Sequence, residues 1–367
     1  MMTRHVPIQV CAFCTALSFI LLVVATTGAQ TSVREPETFL EKYIHLSKAE
    51  LAKMKRGEVV SKLVAPTNKR ELAVFGVVRL DVPKDYFVKK VRDIVEYKKN
   101  ESILQIGKFS DPPRLDDLAG LTVDASDIAD LKKCRVGDCD LRFPAAEIER
   151  FQREIDWSRR DVGNQVTKLT REILLKYVTA YLSGGYQALA EYHDQKHALS
   201  LAEEFHSLIA ASPYLAEYAP EFQTYLEKYP AGQLENVENL IYWSKESFGL
   251  KPVISLTHMT ILTVKRQGAT HVIISSKQLY ASHYFDSSLA LTVFVEELGG
   301  GNQPLSYLIY LNRSRTNQLR GLFSGLRRSI VEGKMLTGVR QNLLSTKEKL
   351  ETRYRQSADS GAHRSQK

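Results

Sequence analysis

Residues 191–197 read Glu-Tyr-His-Asp-Gln-Lys-His. His193 and His197 stand four apart, and Asp194 adjoins the first of them. On one helical turn, two imidazoles at that spacing can grip a zinc ion while a neighbouring carboxylate serves as base. The stretch therefore raises a secreted metal-dependent hydrolase working through His193, Asp194 and His197. Three features weigh against it. The carboxylate is an aspartate where the zinc-helix motif carries glutamate, and no third ligand follows at a recognised distance. Ser200 and Glu203 also make a Ser-x-x-Glu capping box just before FHSLI. That box starts a new helix at Ser200 and leaves 194–199 as a linker. No metal and no other cofactor is expected.

Other reactive-looking groups are weaker still. Cys11 and Cys14 lie within an apolar run, Val10 to Ala25, which follows Arg4 and His5 and precedes ATTGAQ. That pattern is a signal peptide over 1–29, cleaved after Ala29, and it predicts an exported protein, periplasmic or extracellular. Cys134 and Cys139 are then the remaining cysteines, and in an oxidising compartment they predict a disulfide across the turn CRVGDC. Asp124, Asp127 and Asp130 are three apart, too widely spaced for a calcium loop, and read as caps and a solvated face. The triple glycine 299–301 lacks a following Lys-Ser/Thr and joins two strands, so it is no phosphate loop. No Gly-x-Ser-x-Gly elbow occurs. Glu203-Glu204 and Glu296-Glu297 are sequence neighbours whose side chains diverge, which excludes them as acid–base pairs.

The elements that would position a site follow from periodicity. Residues 34–58 read as helix. RELAVFGVVRLDVP reads as a strand with one apolar and one mixed face, and KDYFVKKVRDIVEYKK as a helix. ILQIGKF is a second strand. From Pro144 to about Tyr229 the chain reads as helical, broken at Gly184-Gly185. Five strands follow: NLIYWS, PVISLTHMTILTVKR, HVIISSKQLYASHYF, SLALTVFVEEL and LSYLIYLNRSR. Leu319, Leu322, Phe323, Leu326, Ile330 and Val331 then open a long amphipathic helix. The expected divisions are the signal 1–29, an N-terminal part 30–124, a disulfide loop and helical insertion 125–235, strands and final helix 236–351, and a disordered basic tail 352–367.

This order, carried by ELAVFGVVRLDVPKDYFVKKVRDIV, PVISLTHMTILTV, SLALTVFVEEL, SYLIYLNRSR and LRGLFSGLRRSIVEG, resembles the START-like (SRPBCC, helix-grip) superfamily. The chain is also similar to bacterial secreted proteins that carry the signature CRVGDCD and have no assigned activity. The helix-grip resemblance implies an α+β fold in which a curved antiparallel sheet wraps a long C-terminal helix, leaving a cavity between them. It also implies an apolar or amphipathic, lipid-like ligand, bound without catalysis. The block near 125–235 departs from that fold as a large helical insertion.

Side chains expected to face a ligand are Trp243, His258, Tyr280, Tyr284, Tyr310 and Arg313. His258 shares an apolar strand face with Ile254, Leu256, Thr260, Leu262 and Val264, and alternation puts Gln278, Tyr280, Ser282 and Tyr284 on one face. Arg313 can pair with a carboxylate or acidic head group. Charge is uneven: residues 313–367 hold 13 Lys/Arg against 4 Asp/Glu in a chain of net charge +8. A basic end on an exported protein suits an anionic membrane surface and argues against nucleic acid. A third reading is an envelope assembly protein that acts through its helical insertion.

Overall fold

The computed structural model describes residues 36–247, 249–266, 269–297, 305–319 and 324–364. The signal segment with its cleavage after Ala29, and the triple-glycine turn, lie outside them.

Two helices open the described chain where one was expected, α1 (Pro36–Ile44) and α2 (Lys48–Lys55). His45, at φ 55°, turns the chain between them, and Ser47 and Glu50 cap α2 reciprocally. Then come β1 (Val60–Leu63), β2 (Glu71–Leu80), α3 (Lys84–Arg92), α4 (Ile94–Lys98) and β3 (Ile103–Lys108). The helical block holds α5 (Ala125–Lys133), α6 (Ala145–Glu154) and α7 (Val162–Gly184). After these come a two-strand hairpin, β4 (Glu191–Tyr192) with β5 (Leu199–Ser200), and α8 (Leu201–Ala210), α9 (Pro213–Tyr218) and α10 (Pro220–Lys228). Gly185, at φ +53°, ends α7, and a Cβ there would lie 1.8 Å from the Tyr229 carbonyl oxygen, so only glycine fits. Cys134 and Cys139 form the expected disulfide.

Strands β6 (Val237–Glu246), β7 (Val253–Arg266), β8 (Ala269–Ala281), β9 (Ser287–Glu297) and β10 (Leu305–Arg315) complete an open antiparallel sheet of eight strands. Its order is β1-β2-β10-β9-β8-β7-β6-β3. The fold class is therefore α+β, with a long C-terminal helix, α11 (Ser324–Arg364). Residues 352–364, whose polarity suggested a disordered tail, continue that helix. Tyr354 explains part of this, because it packs on Tyr86 at 5.0 Å between ring centroids.

Both faces of the sheet are covered, which corrects the expected half-mixed face of β2: apart from Arg79, all its residues are buried. Phe75 and Val77 of β2, with Ile309 and Leu311 of β10, pack under α1, α2, α9 and α10. Ile254 and Leu256 of β7 pack under α5, α6 and α7. Val78, Leu80, Leu308 and Phe294 point the other way, to α3 and α11. There α11 lies close against β2. A Cβ at Gly76 would come within 2.6 Å of Leu343 Cδ1 and 2.7 Å of Val339 Cγ1.

Candidate functional site

The opening heptapeptide is extended where the metal motif needs a helix. Glu191 and Tyr192 pair with Ser200 and Leu199, so His193 to Lys196 lie in the loop of a hairpin. His193 Nδ1 lies 3.1 Å from its neighbouring Glu191 carbonyl. The backbone carbonyls of His193 and Asp194 accept hydrogen bonds from Gly137 N (2.8 Å) and Cys139 N (2.9 Å). The hairpin thus docks the disulfide loop. Ser200 does cap α8, accepting from Glu203 N at 3.4 Å. Among the described residues no group of three or more His, Cys, Asp or Glu is placed to hold a metal.

The aspartates read as a solvated face are paired, and one is buried. Asp127 lies 3.3 Å from His283 Nε2, both inaccessible, while Asp124 pairs with Lys245 and Asp130 with Lys251. Their partners sit at the ends of β6, β7 and β8, so α5 is bound to the sheet through polar contacts that the three-residue spacing does not reveal.

Six side chains expected to converge on one ligand are distributed instead. Trp243 is in the core and donates its indole N–H to the Asp117 carbonyl at 2.7 Å. Tyr280 packs on Phe143 and Tyr192. Tyr284, at φ 60°, sits in the turn after β8, where its hydroxyl accepts from Lys251 N at 3.1 Å. Tyr310 lies on the opposite face, beside Leu308. A β-bulge at Leu256/Thr257 separates Gln278 from Tyr280. Leu279 and Tyr280 consequently both join the helical side, and Tyr177 fixes the bulge by donating its hydroxyl to the Leu279 carbonyl at 2.8 Å.

His258 shares a strand face with Ile254 and Leu256, as expected, but that face lies under the helical block and not under α11, and there His258 is inside a hydrogen-bonded chain. Asn239 Nδ2 donates to the Tyr225 hydroxyl, so its Oδ1 accepts from His258 Nε2 at 2.9 Å. Nδ1 is then free to accept from the Tyr181 hydroxyl, also at 2.9 Å. Burial, with a smaller contribution from the Lys277 charge, pushes the imidazole down to about 3, and the ring stays neutral. Lys277 faces His258 across the β7–β8 pair. It is 4% exposed, and burial pushes its amine down to about 7.

Arg313 belongs to a buried ionic circuit at one end of the sheet. It pairs with the fully buried Glu71, which also accepts from Thr67 Oγ1 at 2.6 Å. Arg315 reaches Glu204 of α8 at 3.2 Å, and Glu204 meets Arg70. Arg70 continues to Asp286 at 3.2 Å, and Asp286 forms an ion pair with Arg142 at 2.6 Å. Burial outweighs the two guanidinium groups and pushes the Asp286 carboxyl up. The circuit ties the insertion to β2, β9 and β10.

Beside this circuit lies a cavity of about 100 Å³. Phe39, Tyr214, Leu215, Tyr218 and Ala219 roof it, and Val264, His271, Ile273, Leu291, Val293, Val295, Ile309 and Leu311 form its floor. Tyr214 joins cavity and circuit, since its hydroxyl lies 3.4 Å from Arg313 Nε. On the opposite face, Tyr97 and Tyr310 are only half-buried, yet burial is the main cause that raises both hydroxyls, Tyr97 to about 12. Lys98, which donates to the Tyr242 hydroxyl at 3.2 Å, stands beside them. The cavity, the circuit and Lys277 were not anticipated. Their residues come from segments far apart in sequence, and a charged residue within a strand, such as Lys277 in SSKQ, was the only local signal.

No protein-family model matches the chain, and no curated protein matches it in sequence.

Proposed function

We propose that this protein binds a small apolar or amphipathic molecule without transforming it, in the cavity beneath α1 and α9. The lining of that cavity carries the reading: carbon surface except for the His271 ring and the tyrosine hydroxyls. Dry apolar cavities bind apolar guests, and one of about 150 Å³ holds benzene. The smaller volume here suits a short alkyl or alicyclic segment. Tyr214 and Arg313 at the inner end give a polar group of the guest something to meet. The expected export and the basic face of α11, with Lys334, Arg340, Arg353 and Arg355, fit delivery at an anionic membrane surface.

Native mass spectrometry of freshly purified protein, followed by solvent extraction, tests the proposal. A co-purifying small molecule or displaceable binding of a hydrophobic probe is expected, and Leu291→Trp should abolish it by filling the cavity. Protein that is ligand-free and takes up no probe overturns the reading.

A second reading places the guest between the sheet and α11, as a helix-grip relationship implies. The half-buried Tyr310 and Tyr97, which stand beside Lys98 on that face, favour it. Binding lost in Tyr310→Ala and kept in Leu291→Trp would select this site over the first.

A further inference from the structure

We propose that Lys277 is an amine nucleophile that forms an imine with a small aldehyde or ketone. The site has an unusual composition. Among the described residues, the buried cations Arg142, Lys245, Arg313 and Arg315 each lie against a carboxylate. Lys277 Nζ has no hydrogen-bond partner. It sits over three aromatic rings instead, 3.9 Å from the Tyr186 centroid, 4.9 Å from Phe205 and 5.2 Å from Tyr181.

Two effects compete there. Ring faces attract an ammonium, by about 2 kcal/mol at most when desolvated. Burying an unpaired charge costs more, and the amine escapes that cost by shedding its proton. The groups around it supply no anion. His258, opposite on β7, is held neutral by Asn239 and Tyr181, while Leu289 is opposite on β9. Tyr186 comes from the turn after α7 and Phe205 from α8. A neutral lysine amine near neutral pH is the nucleophile that imine chemistry requires. Two further buried polar atoms lack partners here, Ser275 Oγ, two residues along the same strand face, and the Tyr186 hydroxyl. Such atoms in a native interior call for a reason, and hydrogen bonding to a carbonyl or carbinolamine oxygen supplies one.

The step balances without a further reactant. The Nζ lone pair attacks the carbonyl carbon, and the C–N bond forms while the oxygen takes a proton. Loss of water breaks the C–O bond and leaves the imine. On the same strand face Ile273 lines the apolar cavity, and the fully buried Ser275 stands between it and Lys277, so a small carbonyl compound must pass Ser275 to reach the amine. The chemistry holds whether or not the cavity has its own guest.

The test uses the full protein with propanal and cyanoborohydride, which traps an imine as a propyl amine, followed by peptide mapping. At pH 7 Lys277 should be alkylated about tenfold faster than exposed lysines, whose amines are almost wholly protonated. Its rate should reach half-maximum near pH 7, and Lys277→Arg should remove the label from that peptide alone. An unlabelled Lys277 beside labelled surface lysines overturns the proposal. So does labelling of Lys277 that rises only with the surface amines, which is what transient unfolding would give. Probe uptake is scored separately, so labelled Lys277 in protein that takes up no hydrophobic probe upholds this proposal and overturns the binding site alone.

Discussion

The two faces of the sheet are built from alternate residues of the same strands and are stabilised differently. The face under the helical block carries its charges inside. Glu71, Arg313, Arg315, Glu204, Asp286 and Arg142 are all buried there, as is Lys277. The face toward α3 and α11 buries carbon near Phe294, Leu308 and Leu80, and then turns to small hydroxyl and amide groups. Asn312 donates to Ser288 at 3.1 Å and Gln278 to Ser255 at 3.3 Å on that side. One face is thus held by ion pairs that cannot lose a partner cheaply. The other is held by apolar packing, neutral hydrogen bonds and partly exposed ion pairs such as Lys98–Glu246 that can. Location of charge, more than amount of buried surface, separates the two.

The sharpest way to break this contrast is to change neighbours on β10. Arg313→Met leaves Glu71 buried with only Arg315, at 3.8 Å, and Thr67. It should destabilise the protein by about 3 kcal/mol, the lower part of the range for breaking a buried pair. Asn312→Ala, one residue away on the other face, should cost no more than about 1 kcal/mol. Urea unfolding of both variants measures the difference, and equal losses would remove the distinction between the faces.

Lys277 sharpens the contrast because it is the charge without a partner. Its amine is pushed from an ordinary 10.5 down to about 7 by burial. Between those values the unfolded chain binds the extra proton, so stability rises as pH rises from 7 to 10.5 and the slope vanishes below 7. Lys277→Met should be more stable than the parent at pH 7, by roughly 2–4 kcal/mol once ring attraction is allowed for. The variant should also lose that pH slope in unfolding curves collected between pH 6 and 10. A parent whose stability is flat over that interval would show that Lys277 stays charged.

How much of this was legible follows from which signals are local. The five late strands, the helix start at Ser200, the break at Gly184-Gly185 and the Cys134–Cys139 bridge were readable because each depends on a few adjacent residues. The bulge at Leu256/Thr257 was not. Inserting one residue in a strand shifts every later side chain to the other face, and nothing in KQLYA marks it. Asp127 shows the same limit, since its spacing suits a solvated helix while its partner His283 lies 156 residues on. The bulge put Tyr280 in the core beside Leu279, while simple alternation along the unbroken β10 puts Tyr310 on the face opposite Arg313.

Smaller effects test whether the helical face owes its order to its own local closures or to the sheet beneath. Opening the Cys134–Cys139 bridge as a double serine variant should cost about 2 kcal/mol, the chain-entropy value for so short a loop. The loop would remain docked through Gly137 and Cys139 backbone bonds to His193 and Asp194, so the hairpin should keep its amide protection. The smallest expected change is at the start of α8. Ser200 Oγ accepts from Glu203 N, and Ser200→Ala would leave that N–H to solvent at a cost of about 1 kcal/mol. Glu204 one residue later still holds α8 to Arg70 and Arg315, and Phe205 still packs under Tyr186. Hydrogen exchange should therefore quicken at the first turn of α8 and stay unchanged from Phe205 onward. Exchange that quickens along all of α8 would show that the cap, and not the ionic circuit, secures this helix to the sheet.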